Sequence, residues 1–207
     1  MYIHLVVEDE LSEVISRKIL GEYITGADVH VVTIGRKGKG YIKKRINEFN
    51  NQDNDLPFFV LTDLDCVTCA PELIQQWLKR PCRKNLVFRV AVREVEAWLL
   101  ADSHGISNYL NMDHSYISKE VQYPDNLSDP KHKLLSLVER SKKRNMISDI
   151  VKNDGSSLKQ GPGYNTRLTD FVVNDWNMER ARSNSDSFNR AINALRKLTR
   201  EESNEEY

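Results

Sequence analysis

Two aspartates one residue apart, Asp63 and Asp65 in the stretch PFFVLTDLD (Pro57–Asp65), form the pair best suited to chemistry. Carboxylates at that spacing repel each other unless a cation lies between them, and hard oxygen donors suit Mg²⁺ or Mn²⁺. Two further acidic groups occupy comparable places: Glu8-Asp9-Glu10 follows the apolar run IHLVV, and Glu94 with Glu96 follows NLVFRVAV. Any one of them is explained by a solvated loop, or by acids gathering at a helix N-terminus. Three coincident groups point instead to one or two divalent ions that polarise a phosphodiester, lower the pKa of a water and stabilise a leaving oxygen.

A basic cluster lies in GRKGKGYIKKR: Arg36, Lys37, Lys39, Lys43, Lys44 and Arg45. Such a cluster can follow a nucleic-acid backbone, with salt-dependent affinity; a solvated helix face is the competing reading. The loop is not a nucleotide-binding P-loop. Gly35 and Gly40 have the spacing, but Tyr41 and Ile42 stand where Lys and Ser/Thr are required. Cys66 and Cys69, with Cys82 beyond, have no histidine at ligand spacing, so the thiols read as incidental. The odd cysteine count gives no disulfide framework. Trp77, Trp98 and Trp176 fall on helical stripes and read as core.

These residues need a scaffold that brings strand ends together. Ile3–Val7, Asp28–Ile34, the central run ending near Thr62 and Asn85–Val92 read as strands. Leu11–Tyr23, Tyr41–Phe49, Pro71–Leu78 and Arg93–Ala101 read as the intervening helices. The alternation predicts an α/β fold with a mainly parallel four-stranded sheet flanked by helices over 1–102. In extended backbone Asp63 and Asp65 would point the same way, at the carboxyl edge where open parallel sheets bind ligands. After Asp102 strand-like runs disappear. Helical stretches at Lys133–Arg140, Arg167–Val173 and Ser187–Leu198, separated by polar loops at 103–132 and 152–167, predict a helical appendage over 103–207 with a frayed tail from Arg200.

Lys plus Arg number 30 and Asp plus Glu 30, so net charge does not mark a nucleic-acid binder, and any basic surface must be local. No apolar run reaches the roughly 20 residues that span a bilayer. The N-terminal stretch does not read as a signal peptide, so the expected location is the cytoplasm, without membrane contact.

The strand ending in Glu8, then FVLTDLD, then REVEAWLLAD, together resemble a Toprim domain over residues 3–102. The acidic block on a late helix is most similar to the overcoming-lysogenization-defect nucleases, and to small Toprim-like bacterial proteins encoded beside ATPases. Asp129-Pro130-Lys131, Gly163-Tyr164-Asn165 and Ser187-Phe188 extend a weaker similarity to the latter. The resemblance implies a Toprim/Rossmann-like fold and a divalent-metal-dependent nuclease. It implies Glu8 as ligand or general base, Asp63 and Asp65 as ligands, and Glu96, with Glu94 beside it, completing a second metal site. DNA is preferred over RNA as substrate, and an ATPase partner in defence against phage or mobile DNA is implied. Two departures stand out: Asp9 replaces the glycine that usually follows the first glutamate, and no strand-end lysine follows Glu96, which leaves Lys131 as the substitute. Three rivals stay open: a phosphatase or nucleotidyl-transfer enzyme using the same metals, a receiver-like module phosphorylated on Asp63, and a nucleic-acid-binding module with a degenerate site.

Overall fold

The computed structural model describes the backbone of residues 2–24, 26, 28–33, 38–52, 56–155 and 157–205, and their side chains except at 31–33 and 199–205. The chain separates into two compact units, Met1–Val92 with Asn189–Tyr207, and Arg93–Phe188.

In the first unit, β1 (Tyr2–Val6), β2 (Asp28–Thr33), β3 (Phe58–Asp63) and β4 (Leu86–Ala91) form a four-stranded sheet in the order β2-β1-β3-β4. All three pairings are parallel, as the alternation of strands and helices predicts. The connecting helices are α1 (Glu10–Tyr23), α2 (Gly38–Asn50) and α3 (Ala70–Trp77). The chain leaves β1 toward one edge and returns past it to build β3 and β4 toward the other. The direction therefore reverses between β1 and β3, and the carboxyl ends of those strands define the crevice where such sheets take ligands.

Side-chain alternation divides the core into two layers. Val6, Phe58, Val60, Leu86, Phe88 and Val90 pack with Ile42, Ile46 and Phe49 of α2 and with Leu73 and Trp77 of α3. Ile3, Leu5, Phe59 and Leu61 alternate with them and are fully buried on the opposite face, where a right-handed crossover puts α1. Burial on both faces explains why these strands read as continuous apolar runs.

In the second unit, the segment expected as one helix over Arg93–Ala101 is helical only as α4 (Glu96–Leu100). Arg93 is left-handed, at φ 61°, a conformation that costs a side-chain-bearing residue roughly 1–2 kcal/mol. All five residues of α4 are buried, and it packs against α5 (Ser103–Leu110), α7 (Pro130–Glu139) and α10 (Met178–Asn184). A helix buried all round belongs at the centre of a layer rather than at its surface. Segment 93–102 therefore goes with the helical unit, a different partition from the division expected at 102. The Trp98 indole N–H donates to Ser187 Oγ at 2.7 Å, and its ring meets that of Phe188 at 5.0 Å.

The supposed polar loops of this unit hold regular structure. Residues 103–132 contain α5, α6 (His114–Glu120) and the start of α7, each opened by an aspartate: Asp102 accepts from Gly105 N at 2.9 Å, Asp113 from Tyr116 N at 3.1 Å and Asp129 from His132 N at 2.7 Å. Such caps stabilise helices of two turns that are too short to display periodicity. The unit also contains α8 (Arg144–Ile150), α9 (Tyr164–Asn174) and an antiparallel pair, β5 (Val151–Asn153) and β6 (Leu158–Gln160), so strands do not end at 102. The last helix, α11 (Asp186–Glu205), continues into the tail expected to fray. No helix among the described residues is long and apolar enough to cross a membrane.

Candidate active site

At the reversal point of the sheet, Glu8 stands two residues beyond β1, and its carboxylate crosses to β3. Oε1 accepts the Thr62 hydroxyl and the Asp63 backbone N–H, the latter at 2.8 Å. Burial raises the Glu8 pKa, opposed by those two hydrogen bonds and by Lys39. Asp9 is drawn elsewhere: its side chain caps α1 by accepting from Ser12 N at 2.8 Å. Glu8 is the member of the first acidic group whose carboxylate is seen tied to the end of β3.

The backbone is not extended through the DxD pair, so the expectation that Asp63 and Asp65 point the same way does not hold. The sheet holds Asp63, one residue past the expected end, and Asp63 is buried. Leu64 then enters the core, and Asp65 turns into left-handed backbone at φ 51°. Aspartate tolerates that conformation better than most residues. The turn re-aims Asp65, so strand alternation does not describe how the pair is presented. Its Oδ2 meets Lys39 Nζ at 2.7 Å, and the same ammonium donates to the Asp63 carbonyl at 2.6 Å and the Leu64 carbonyl at 3.4 Å.

Lys39 thus faces the acids rather than sharing a uniform basic face with its neighbours. It enters at the start of α2, where Gly38 is left-handed at φ 60°. Lys43 and Lys44 are exposed on α2, and Arg45 pairs with Glu48 on the same helix. Arg36 and Lys37 lie outside the described residues.

The second unit holds its own acidic group. Glu94 Oε2 accepts the Lys131 backbone N–H at 2.9 Å, and Lys131 Nζ lies 3.5 Å from Glu94 Oε1 and 3.6 Å from Glu96 Oε1. Glu96 is 2% exposed, and Tyr164 donates its hydroxyl to Glu96 Oε1 at 2.7 Å. Oε2 of Glu96 is buried with no hydrogen-bond partner among the described residues. Burial raises the Glu96 pKa, opposed by Lys131 and Tyr164; burial and the Glu96 charge push the Tyr164 phenol far above its usual range. An open cleft of about 460 Å³ lies beside the group, lined in part by Glu94, Lys131, His132 and Gln160.

Nothing in local sequence signals the roles of Thr62 and Tyr164. Thr62 reads as an ordinary strand residue, and Tyr164 is 68 positions from its partner. Cys66, Cys69 and Cys82 are free and exposed, whereas Trp77, Trp98 and Trp176 are buried.

The donors in both acidic groups are all oxygen, the type that hard divalent cations take. Among the described residues no three Asp, Glu, His or Cys side chains converge as a ligand set. Mg²⁺ commonly uses only one or two carboxylates and keeps waters for the rest, so groups of this size fit such an ion. The oxygens already gathered around the Lys39 ammonium make the same kind of cation environment.

The fold and the first of these groups define an α/β protein with carboxylates, Glu8 and Asp63, at the carboxyl ends of neighbouring parallel strands. Residues 7–196 match the model of the family described as "Domain of unknown function (DUF4276)", and the chain belongs to that family. Among solved structures, it is similar to the C-terminal region of the Burkholderia pseudomallei OLD protein, with 15% identity over 94% of this chain and 97% of that one, and a TM-score of 0.49. No curated protein matches the chain.

Proposed function

We propose that the protein is a divalent-metal-dependent nuclease cleaving nucleic-acid phosphodiesters, DNA in preference to RNA. One observation carries the reading: Glu8 and the DxD backbone are tied together where strand order reverses, the place where open parallel sheets take ligands. In this reading Glu8 with Asp63 or Asp65 would hold one Mg²⁺ or Mn²⁺ ion through one or two carboxylates, and Glu94 with Glu96 a second, waters completing each shell. When bound, such an ion offsets charge on the phosphodiester and on the oxygen that leaves.

The chain's own groups do the positioning. Thr62 and the Asp63 N–H fix the Glu8 carboxylate. Burial raises its proton affinity, which suits a general base working near neutral pH. Lys39 holds the left-handed turn by its hold on Asp65 and two carbonyls, and its charge favours the approach of a phosphate. Lys131 and Tyr164 orient Glu94 and Glu96 in the second unit. Exposed Lys43 and Lys44 follow the strand backbone. An ATPase partner and a role in defence against mobile DNA remain part of the proposal through the resemblance of the sequence motifs.

The test is cleavage of single- and double-stranded DNA and RNA with Mg²⁺ or Mn²⁺, with and without a neighbouring ATPase. Asp63→Asn and Glu8→Gln should abolish metal-dependent cleavage, and Glu96→Gln should abolish or sharply reduce it. Wild-type protein inert on the whole panel refutes the reading. The Lys39–Asp65 pair favours a second reading, phosphoryl transfer through an aspartyl-phosphate. Stable ³²P labelling by acetyl phosphate, lost in Asp63→Asn, would select it.

A further inference from the structure

We propose that the cleft at the open edge of β4, lined by Cys82, Lys84, Arg89 and Lys197, binds a phosphate group. β4 is the last strand of the sheet, and Arg89 is the register partner of Leu61, which is fully buried. A guanidinium therefore stands on the sheet face that also carries Phe59, Leu61 and Val87. Arg89 Nε is buried with no hydrogen-bond partner among the described residues. Burial and then Arg190 act against its charge, and the Cys82 thiol favours it. Arginine does not escape such a position by losing its proton, so the charge calls for an anion.

The surroundings supply the rest of a site. The cleft has a volume of about 370 Å³, and its described lining contains Lys84, Arg89 and Lys197 but no aspartate or glutamate. Its walls, Ile74, Leu86, Phe88 and Leu198, are apolar, which lowers the local dielectric and strengthens attraction to a bound oxyanion. The planar donors of a guanidinium match the oxygens of phosphate two at a time, and an ammonium adds a point charge. The ligand is either a phosphodiester of a nucleic-acid strand or a free phosphate or mononucleotide. The proposal does not depend on the reaction assigned to the carboxylates, because it uses none of them.

Cys82 provides the readout. In the metal-free full chain, alkylation by iodoacetamide is followed at each cysteine by peptide mass spectrometry, with Cys66 and Cys69 as internal references. Inorganic phosphate is titrated against chloride at matched ionic strength, and a short oligonucleotide and a mononucleotide are titrated in parallel. Phosphate at ten times its dissociation constant leaves about one site in ten open, so Cys82 alkylation should slow roughly tenfold while the references hold their rates. Arg89→Gln should abolish the protection, and Lys197→Gln, at an exposed position, should weaken it. Protection by the oligonucleotide at far lower concentration than by phosphate assigns the site to a strand; protection by phosphate or mononucleotide alone assigns it to a small ligand. Absence of saturable protection by all three ligands overturns the proposal, as does undiminished protection in folded Arg89→Gln and Lys197→Gln.

Discussion

Replacing Glu96 by glutamine should stabilise the metal-free protein at neutral and alkaline pH. The carboxyl is 2% exposed, accepts one hydrogen bond from Tyr164 at 2.7 Å, and lies 3.6 Å from Lys131 Nζ. Its second oxygen has no hydrogen-bond partner among the described residues. Burial outweighs both favourable neighbours and raises the pKa from the ordinary 4.5. The folded protein then binds this proton more tightly than the unfolded chain. The group's contribution to stability is complete below pH 4.5 and is lost as pH rises through the folded-state value. A buried carboxylate oxygen without a partner costs about 1–3 kcal/mol, and exchanging the charge for a neutral amide relieves that penalty. Weakening the charge-assisted bond from Tyr164 takes back about 1 kcal/mol. The net gain at pH 8 is about 0–2 kcal/mol, with about 2–4 °C in Tm for each kcal/mol in a protein of this size. Below pH 4.5 the pH-dependent part of the gain should vanish. Urea unfolding in chelator between pH 4 and pH 9, followed by tryptophan fluorescence, measures it; Trp98 and Trp176 lie in the same unit as Glu96. A Glu96→Gln protein less stable than wild type at pH 8, or one whose stability difference from wild type is the same at pH 4 and pH 8, would refute the reasoning, and Glu96 would then be an ordinary structural acid. If the carboxylate is kept to hold a cation, millimolar Mg²⁺ or Mn²⁺ should raise wild-type stability and leave the variant unmoved.

Lys39→Gln breaks a partly exposed ion pair and should change unfolding by less than about 1 kcal/mol; cleavage should nevertheless fall sharply, and a parallel fall in stability would make Lys39 merely structural. Burial, then His30 and Arg83, lower the His4 pKa, so its contribution is present above 6.5 and lost as pH falls through the depressed value. The stability difference between wild type and His4→Gln should shift in favour of the variant on acidification, measured as urea midpoints from pH 7.5 down to pH 4.5. Arg180→Ala leaves Asp102, fully buried and held by Arg180 at 2.6 and 2.9 Å, without its counter-ion. It should destabilise the second unit by about 3–5 kcal/mol, read from the Trp98 and Trp176 fluorescence transition. Reversing Lys43 and Lys44 to glutamate should lower the logarithmic salt slope of nucleic-acid binding by about one for each phosphate no longer neutralised; an unchanged slope makes them a solvated face.

Continuous apolar runs separated by helical stripes determined the parallel sheet by themselves, because strands buried on both faces have little choice of residue. The same runs placed Glu8 and Asp63 at strand ends, since a carboxylate there can leave the core within one or two residues. The helical half was less legible. α5, α6 and α10 are two turns long and are held by aspartate and asparagine caps and by burial around α4, signals too local or too distant for periodicity to carry. Only tertiary structure turned Asp65 into a left-handed bend and drew Lys39 out of the basic run onto the DxD backbone. It also brought Tyr164 across 68 positions to Glu96. Such pairings depend on where chain crossings put side chains that neighbour nothing in sequence. A residue's type and spacing state what chemistry it can do; which partner it meets is settled by packing between segments that the linear order leaves far apart.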